Sequence, residues 1–147
     1  TRAMTEQDTI KLLRECDAGI SMGLSAIDGV IGYVEKADFV RVLTESREEH
    51  EKLGREVQEQ LVLCREEGKE PNPVTKTMSQ MMTELKLKLH ESDKTIADLM
   101  TDGCNMGVKS LNRYLNQYKA ADEYAKDIAK RLINLEEKLS IQMRDYL

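Results

Sequence analysis

Gly19-Ile20-Ser21-Met22-Gly23 and Gly103-Cys104-Asn105-Met106-Gly107 decide how this chain is read. The second stretch follows the first by 84 residues, and the likeness continues at that spacing. Ile27, Ile31, Val34, Ala37 and Asp38 find counterparts in Leu111, Leu115, Tyr118, Ala121 and Asp122. A repeat sets the architecture before any other signal is weighed, because each copy is one supersecondary unit. This unit is too long for a solenoid and occurs twice. Two copies of a helical hairpin joined by a long connection imply an all-α four-helix bundle with pseudo-twofold symmetry.

Composition agrees. The 147 residues suffice for one domain with a sizeable core. Charged residues make up 33% and aromatics 4%, with one Phe and no Trp. Abundant Leu, Ile, Met, Glu and Lys favour helix over strand. The net charge is −5 and there is no basic run, so no nucleic-acid partner is expected. No apolar run approaches the roughly 20 residues of a membrane span, and no signal-peptide core is present. The three cysteines fall inside helical patterns, which points to reduced thiols and a cytoplasmic location.

The apolar periodicity divides the chain into hairpin one at about 5–67, a crossover at 68–91 and hairpin two at about 92–147. Thr5 and Asp8 resemble a capping box at the first helix start. Lys36-Ala37-Asp38 reads as a turn with Asp38 as the next N-cap, and Gly68 is placed to end the second helix. Residues 68–73, Gly-Lys-Glu-Pro-Asn-Pro, are the clearest break, and a short helix capped by Asn72 is expected through Met78, Met81, Met82, Leu85 and Leu89. Ser92 or Asp93 caps the following long helix. No Gly or Pro interrupts residues 115–125, so local signals alone permit one helix from 93 to 146. The repeat places a break near 120, with Asp122 as N-cap. A crossover long enough to return along the bundle makes the second and third long helices parallel, and the first and third antiparallel.

On the residues Leu12-Leu13-Arg14-Glu15-Cys16-Asp17-Ala18-Gly19 and their second copy around Asp102-Gly103, the chain resembles the ferritin-like superfamily. More narrowly, it resembles a bacterial ferritin-like family of unknown function with a duplicated helical hairpin. The resemblance implies a ferritin-like four-helix bundle with one long crossover carrying a short extra helix. It also implies a place for two metal ions, held in di-iron members by two Glu and two Glu-x-x-His pairs. In the narrower family the Gly of each repeat is commonly followed by Glu. Here those positions hold Ile20 and Cys104, and neither His50 nor His90 has Glu three residues before it.

The remaining metal candidates are Glu15, Asp17, Glu49, His50, Asp102 and Glu136, with Asp98 beside them. The competing reading makes these solvated or hydrogen-bonded boundary residues, and His50 a hydrogen-bonded core histidine. Gly19, Gly23, Gly103 and Gly107 are expected to permit close helix packing, because glycine inside a helix otherwise destabilises it. Room for a ligand or partner helix is the alternative. On the packing reading, Gly107→Ala destabilises. Cys16 and Cys104 read as small hydrophobes, with a thiol sensor as the alternative. The leading functional reading is a non-catalytic structural or interaction protein without cofactor, and a homodimer is plausible from the eight methionines. The alternative is an atypical iron- or manganese-binding bundle linked to iron handling or oxidative-stress protection.

Overall fold

The structure, a computed structural model, describes residues 2–64 and 92–147. These form four long helices: α1 (Arg2–Ile31), α2 (Ala37–Leu63), α3 (Ser92–Gln117) and α4 (Glu123–Met143). A 3-10 turn (Arg144–Tyr146) follows α4, and no strand occurs among the described residues. The short helix expected near Met78–Leu89, and Gly68 as a helix stop, lie outside the described residues. Among the described residues no helix is long and apolar enough to cross a membrane.

The helix ends refine the sequence reading. Residues 118–122 are not helical, and the Asp122 carboxylate accepts the Ala125 N–H at 2.8 Å, so the break demanded by the repeat is present. Thr5 does not start α1, which runs back to Arg2. Asp38 is not an N-cap: Lys36 holds that position with no side-chain cap, and Asp38 lies in the first turn of α2. Its carboxylate instead hydrogen-bonds the Tyr146 hydroxyl.

The missing cap at Lys36 is replaced from across the bundle. The Glu35 and Lys36 N–H groups donate to the two Asp93 carboxylate oxygens at 2.8 and 3.1 Å. At the other end the Ala120 N–H donates to Asp8 at 3.0 Å and the Asp122 N–H donates to the Thr9 hydroxyl at 2.8 Å. Each hairpin's turn is therefore tied by the first turns of the other hairpin's leading helix. These ties fix direction. The end of α1 lies beside the start of α3, and the start of α1 lies beside the α3–α4 turn, so α1 and α3 are antiparallel. Tyr146 stacks on Phe39 with ring centroids 4.1 Å apart, which brings the end of α4 to the start of α2. It follows that α2 and α3 run parallel, and the end of α2 and the start of α3 lie at opposite ends of the bundle. Helices α1 and α4 touch each other as well as both neighbours, while α2 and α3 occupy opposite corners.

Burial repeats with the sequence. Leu12, Leu13, Cys16, Ile20 and Ile27 of α1 correspond, 84 residues on, to Ile96, Ala97, Met100, Cys104 and Leu111 of α3, and all ten are buried. In the second helices the spacing becomes 86, the separation of His50 from Glu136. Phe39, Leu43, Ser46, His50, Leu53 and Val57 of α2 match Ala125, Ala129, Leu132, Glu136, Leu139 and Met143 of α4, again all buried. Two extra residues before α4 account for the change, and they are why an alignment at constant spacing misplaces Asp38.

The core falls into two apolar clusters. One gathers Leu12, Leu13, Ile20, Leu53, Leu61, Leu111, Ile128 and Leu132. The other gathers Ile27, Phe39, Leu43, Ile96, Met100, Leu139 and Met143. Each fully buried Leu or Ile contributes about 1.5–3 kcal/mol, so these clusters supply most of the cohesion.

Candidate functional site: a polar layer between two apolar clusters

Every helix changes cluster at the same level, and there each presents a polar or small residue. On α1 it is Gly23, between Ile20 and Ile27; on α3 it is Gly107, between Cys104 and Leu111. On α2 it is Ser46 and His50, between Leu43 and Leu53; on α4 it is Glu136, between Leu135 and Leu139. His50 is 0% exposed and Glu136 8%.

His50 Nε2 lies 3.0 Å from Glu136 Oε1, and Nδ1 lies 2.7 Å from the Ser46 carbonyl oxygen. A carbonyl oxygen only accepts, so Nδ1 carries a proton. With a carboxylate opposite, Nε2 must carry one as well, or the carboxyl must be protonated and donate. Either way the pair holds one proton that a neutral imidazole beside a carboxylate would lack. Burial works against the imidazolium. The hydrogen bond and charge of Glu136, helped by the Ser46 carbonyl and Glu49, outweigh it and hold the His50 pKa above the usual 6.5. Glu136 has a second donor, the thiol of Cys104. Burial, then the charge and hydrogen bond of Glu136, push that thiol well above the ordinary cysteine value. Cys16, 0% exposed, is pushed up to about 12 by burial, then by Glu15 and Asp17. Thiolates are the reactive form, so neither cysteine suits a thiol sensor. Among the described residues Arg14 Nε is the buried side-chain polar atom without a partner, and every buried polar atom of this layer is bonded.

The glycines serve this layer more than a backbone crossing. A Cβ on Gly23 would sit 2.9 Å from both Cδ2 and Nε2 of His50, so the imidazole occupies the space a side chain would fill. A Cβ on Gly107 would meet the Glu136 carboxyl at 3.7 Å, an ordinary contact, so the expected penalty for Gly107→Ala does not hold. Gly19 faces Leu132 at 3.6 Å. Gly103 faces open space, which corrects its assignment to helix packing. Gly23 and Gly107 are equivalent in the repeat, as are His50 and Glu136. The pair therefore straddles the pseudo-twofold axis, with one glycine behind each partner.

Of the six metal candidates, the fold unites only His50 and Glu136. Glu49 pairs with Lys138 at 3.1 Å on the surface between α2 and α4. Asp17 is buried and accepts from the Gln58 amide at 2.5 Å, on the floor of a shallow groove between α1 and α2. Glu15 is half-buried on α1, and Asp98 and Asp102 are exposed. Among the described residues no three His, Cys, Asp or Glu side chains are arranged to hold a metal ion. A carboxylate-bridged pair of ions needs four carboxylates and two imidazoles with a free ring nitrogen each. Both ring nitrogens of His50 are committed, and Glu136 is the one carboxylate in the layer. These residues do not fit such a centre.

On the surface, Glu56 of α2 binds Arg131 of α4 through both oxygens at 2.7 and 2.8 Å, and also the Tyr124 hydroxyl. Arg131 in turn reaches Asp127 at 2.9 Å. Hydrogen bonds from Arg131 and Tyr124 hold the Glu56 carboxyl down at about 2. With the Glu49–Lys138 pair this clamps α2 to α4 along the flank of the polar layer. No family model, curated protein or solved structure matches this chain.

Proposed function

We propose that this chain is a ferritin-like bundle in which a hydrogen-bonded His–Glu pair takes the place of a metal centre, and that it acts as a non-catalytic structural or interaction protein. The observation that carries the reading is the state of His50: 0% exposed, with both ring nitrogens bonded inside the protein. Such a group neither meets a substrate nor offers a lone pair to an ion. The one-crossover order of helices and the doubled burial pattern support membership of the bacterial ferritin-like family named above. The three free cysteines are compatible with a reducing, cytoplasmic setting. Exposed Met106 and Ile141 are compatible with a homodimer.

The test is metal analysis of protein purified without chelators. Well under one equivalent of iron or manganese and no ferroxidase activity are expected. Two tightly held equivalents overturn the reading and restore the iron-handling alternative.

A further inference from the structure

The polar layer has a property that a purely structural role does not require. All four helices converge on one proton. His50 supplies the ring from α2 and Glu136 the carboxylate from α4. Gly23 of α1 closes on the ring at a distance that leaves no room for a methyl group. Cys104 of α3 closes on the carboxylate by its thiol hydrogen bond, and Gly107 faces it with space for a methyl group between them. We propose that the proton shared by His50 and Glu136 is a latch on the bundle: bound, it ties the two hairpins together at mid-height, and its loss as pH rises loosens them.

The chemistry follows from the partners. Because Nδ1 donates to the Ser46 carbonyl, the proton that leaves must be the one between Nε2 and Glu136. It goes to solvent. The Nε2 lone pair then faces the carboxylate across 3.0 Å, and an attraction becomes a repulsion inside a buried layer. The nearby cations are committed to other partners, Arg47 to Asp28 and Lys138 to Glu49, and the acids around the pair cannot replace a lost positive charge. On α1 the acids turn elsewhere, Asp17 to Gln58 and Asp28 to Arg47. On α2 the nearest charge is Glu49, which is itself held by Lys138 of α4. On α3 the facing titratable group is Cys104, a donor that stays protonated, and Asp102 is exposed. On α4 it is Glu136 itself.

The raised His50 pKa fixes the sign. The stabilisation is complete below about 6.5, the unfolded value, and is lost as pH rises through the folded value. Between those two values the folding equilibrium constant should fall about tenfold per pH unit. The experiment uses the full chain carrying His90→Gln, which leaves His50 as its sole histidine. Urea unfolding is followed from pH 6 to 8, and the imidazole is titrated by NMR in the same samples. The expected result is a titration midpoint above 6.5, coincident with the decline in stability. Addition of His50→Gln should flatten the decline. A midpoint at or below 6.5, a flat profile with His50 present, or an unchanged decline without it would each overturn the proposal. If the His50→Gln chain does not fold, the imidazole titration and the stability profile of the parent still decide.

Discussion

Replacing Gly23 with alanine adds one methyl group, and the structure gives its consequence a sign. In a helix interior Gly→Ala gains about 1 kcal/mol from backbone propensity alone. At position 23 the new carbon would lie 2.9 Å from two atoms of the His50 ring, whereas carbon contacts are optimal at about 3.5–4.0 Å. The ring must retreat by roughly half an ångström to relieve this. It cannot do so freely, because its nitrogens are pinned at 2.7 Å to Ser46 and 3.0 Å to Glu136. Overpacking typically costs about 1–3 kcal/mol, and a weakened hydrogen bond between charged groups about 1.5–3 kcal/mol if fully lost. Net of the propensity gain, Gly23→Ala should destabilise by about 1–3 kcal/mol. Gly107 is its counterpart in the repeat, is also half-buried, and would place its methyl 3.7 Å from Glu136. Gly107→Ala should therefore stabilise, by up to about 1 kcal/mol. The readout is the urea midpoint at unchanged slope. A double-mutant cycle with His50→Ala should remove most of the Gly23→Ala penalty, since the two act on one contact. If Gly23→Ala raises the midpoint as Gly107→Ala does, the layer has room to spare and the argument is wrong.

Three other outcomes are expected. Asp122→Ala should lower stability by about 1 kcal/mol through loss of the cap on Ala125, and thermal unfolding should show a smaller effect for Asp38→Ala, which removes no cap. Thiol titration of the native chain should modify Cys64, which is half-buried, ahead of Cys16 and Cys104, which are at most 2% exposed; rapid loss of two thiols would contradict their placement. Glu56, held at about 2 against 4.5 when unperturbed, adds stability that is full above about pH 4.5 and lost as pH falls through about 2. Glu56→Gln should therefore flatten the acid limb of the stability profile by about 0.2–1 kcal/mol, less at high salt, because Arg131 is partly exposed.

The repeat made the hairpins, the break near 120 and the antiparallel α1 and α3 legible, because burial of Ile20, Ile27 and their counterparts is written into the spacing of apolar residues. The capping of the first turn was not legible. Asp93 lies 57 residues from Lys36, and a side chain that reaches across the bundle leaves no local signature. The polar layer was half legible. His50 and Glu136 both stood out as polar groups near apolar faces, yet they lie in different hairpins and no local spacing pairs them. The signal that would have joined them was the second-helix spacing of 86, which appears once Phe39 is set against Ala125 instead of Glu123. The distinction between Gly23, crowded by His50, and Gly107, with room for a methyl group beside Glu136, was beyond reach, because both sit at the same place in the same motif and only their neighbours' side chains differ.

The crossed ties at the two ends bear on the order in which the chain can organise. Asp8 and Thr9 have their partners 112 and 113 residues later, at Ala120 and Asp122. As the polypeptide emerges from synthesis, the first hairpin waits for Asp93 to secure its turn, and its leading segment waits longer still for the second turn. Neither half completes its own hydrogen bonding alone. Closing such separations early is entropically costly, so the ties should form late, after the apolar faces have met. The two halves are then expected to rise and fall as one cooperative unit, with amide exchange at residues 35, 36, 120 and 122 reporting the same opening event.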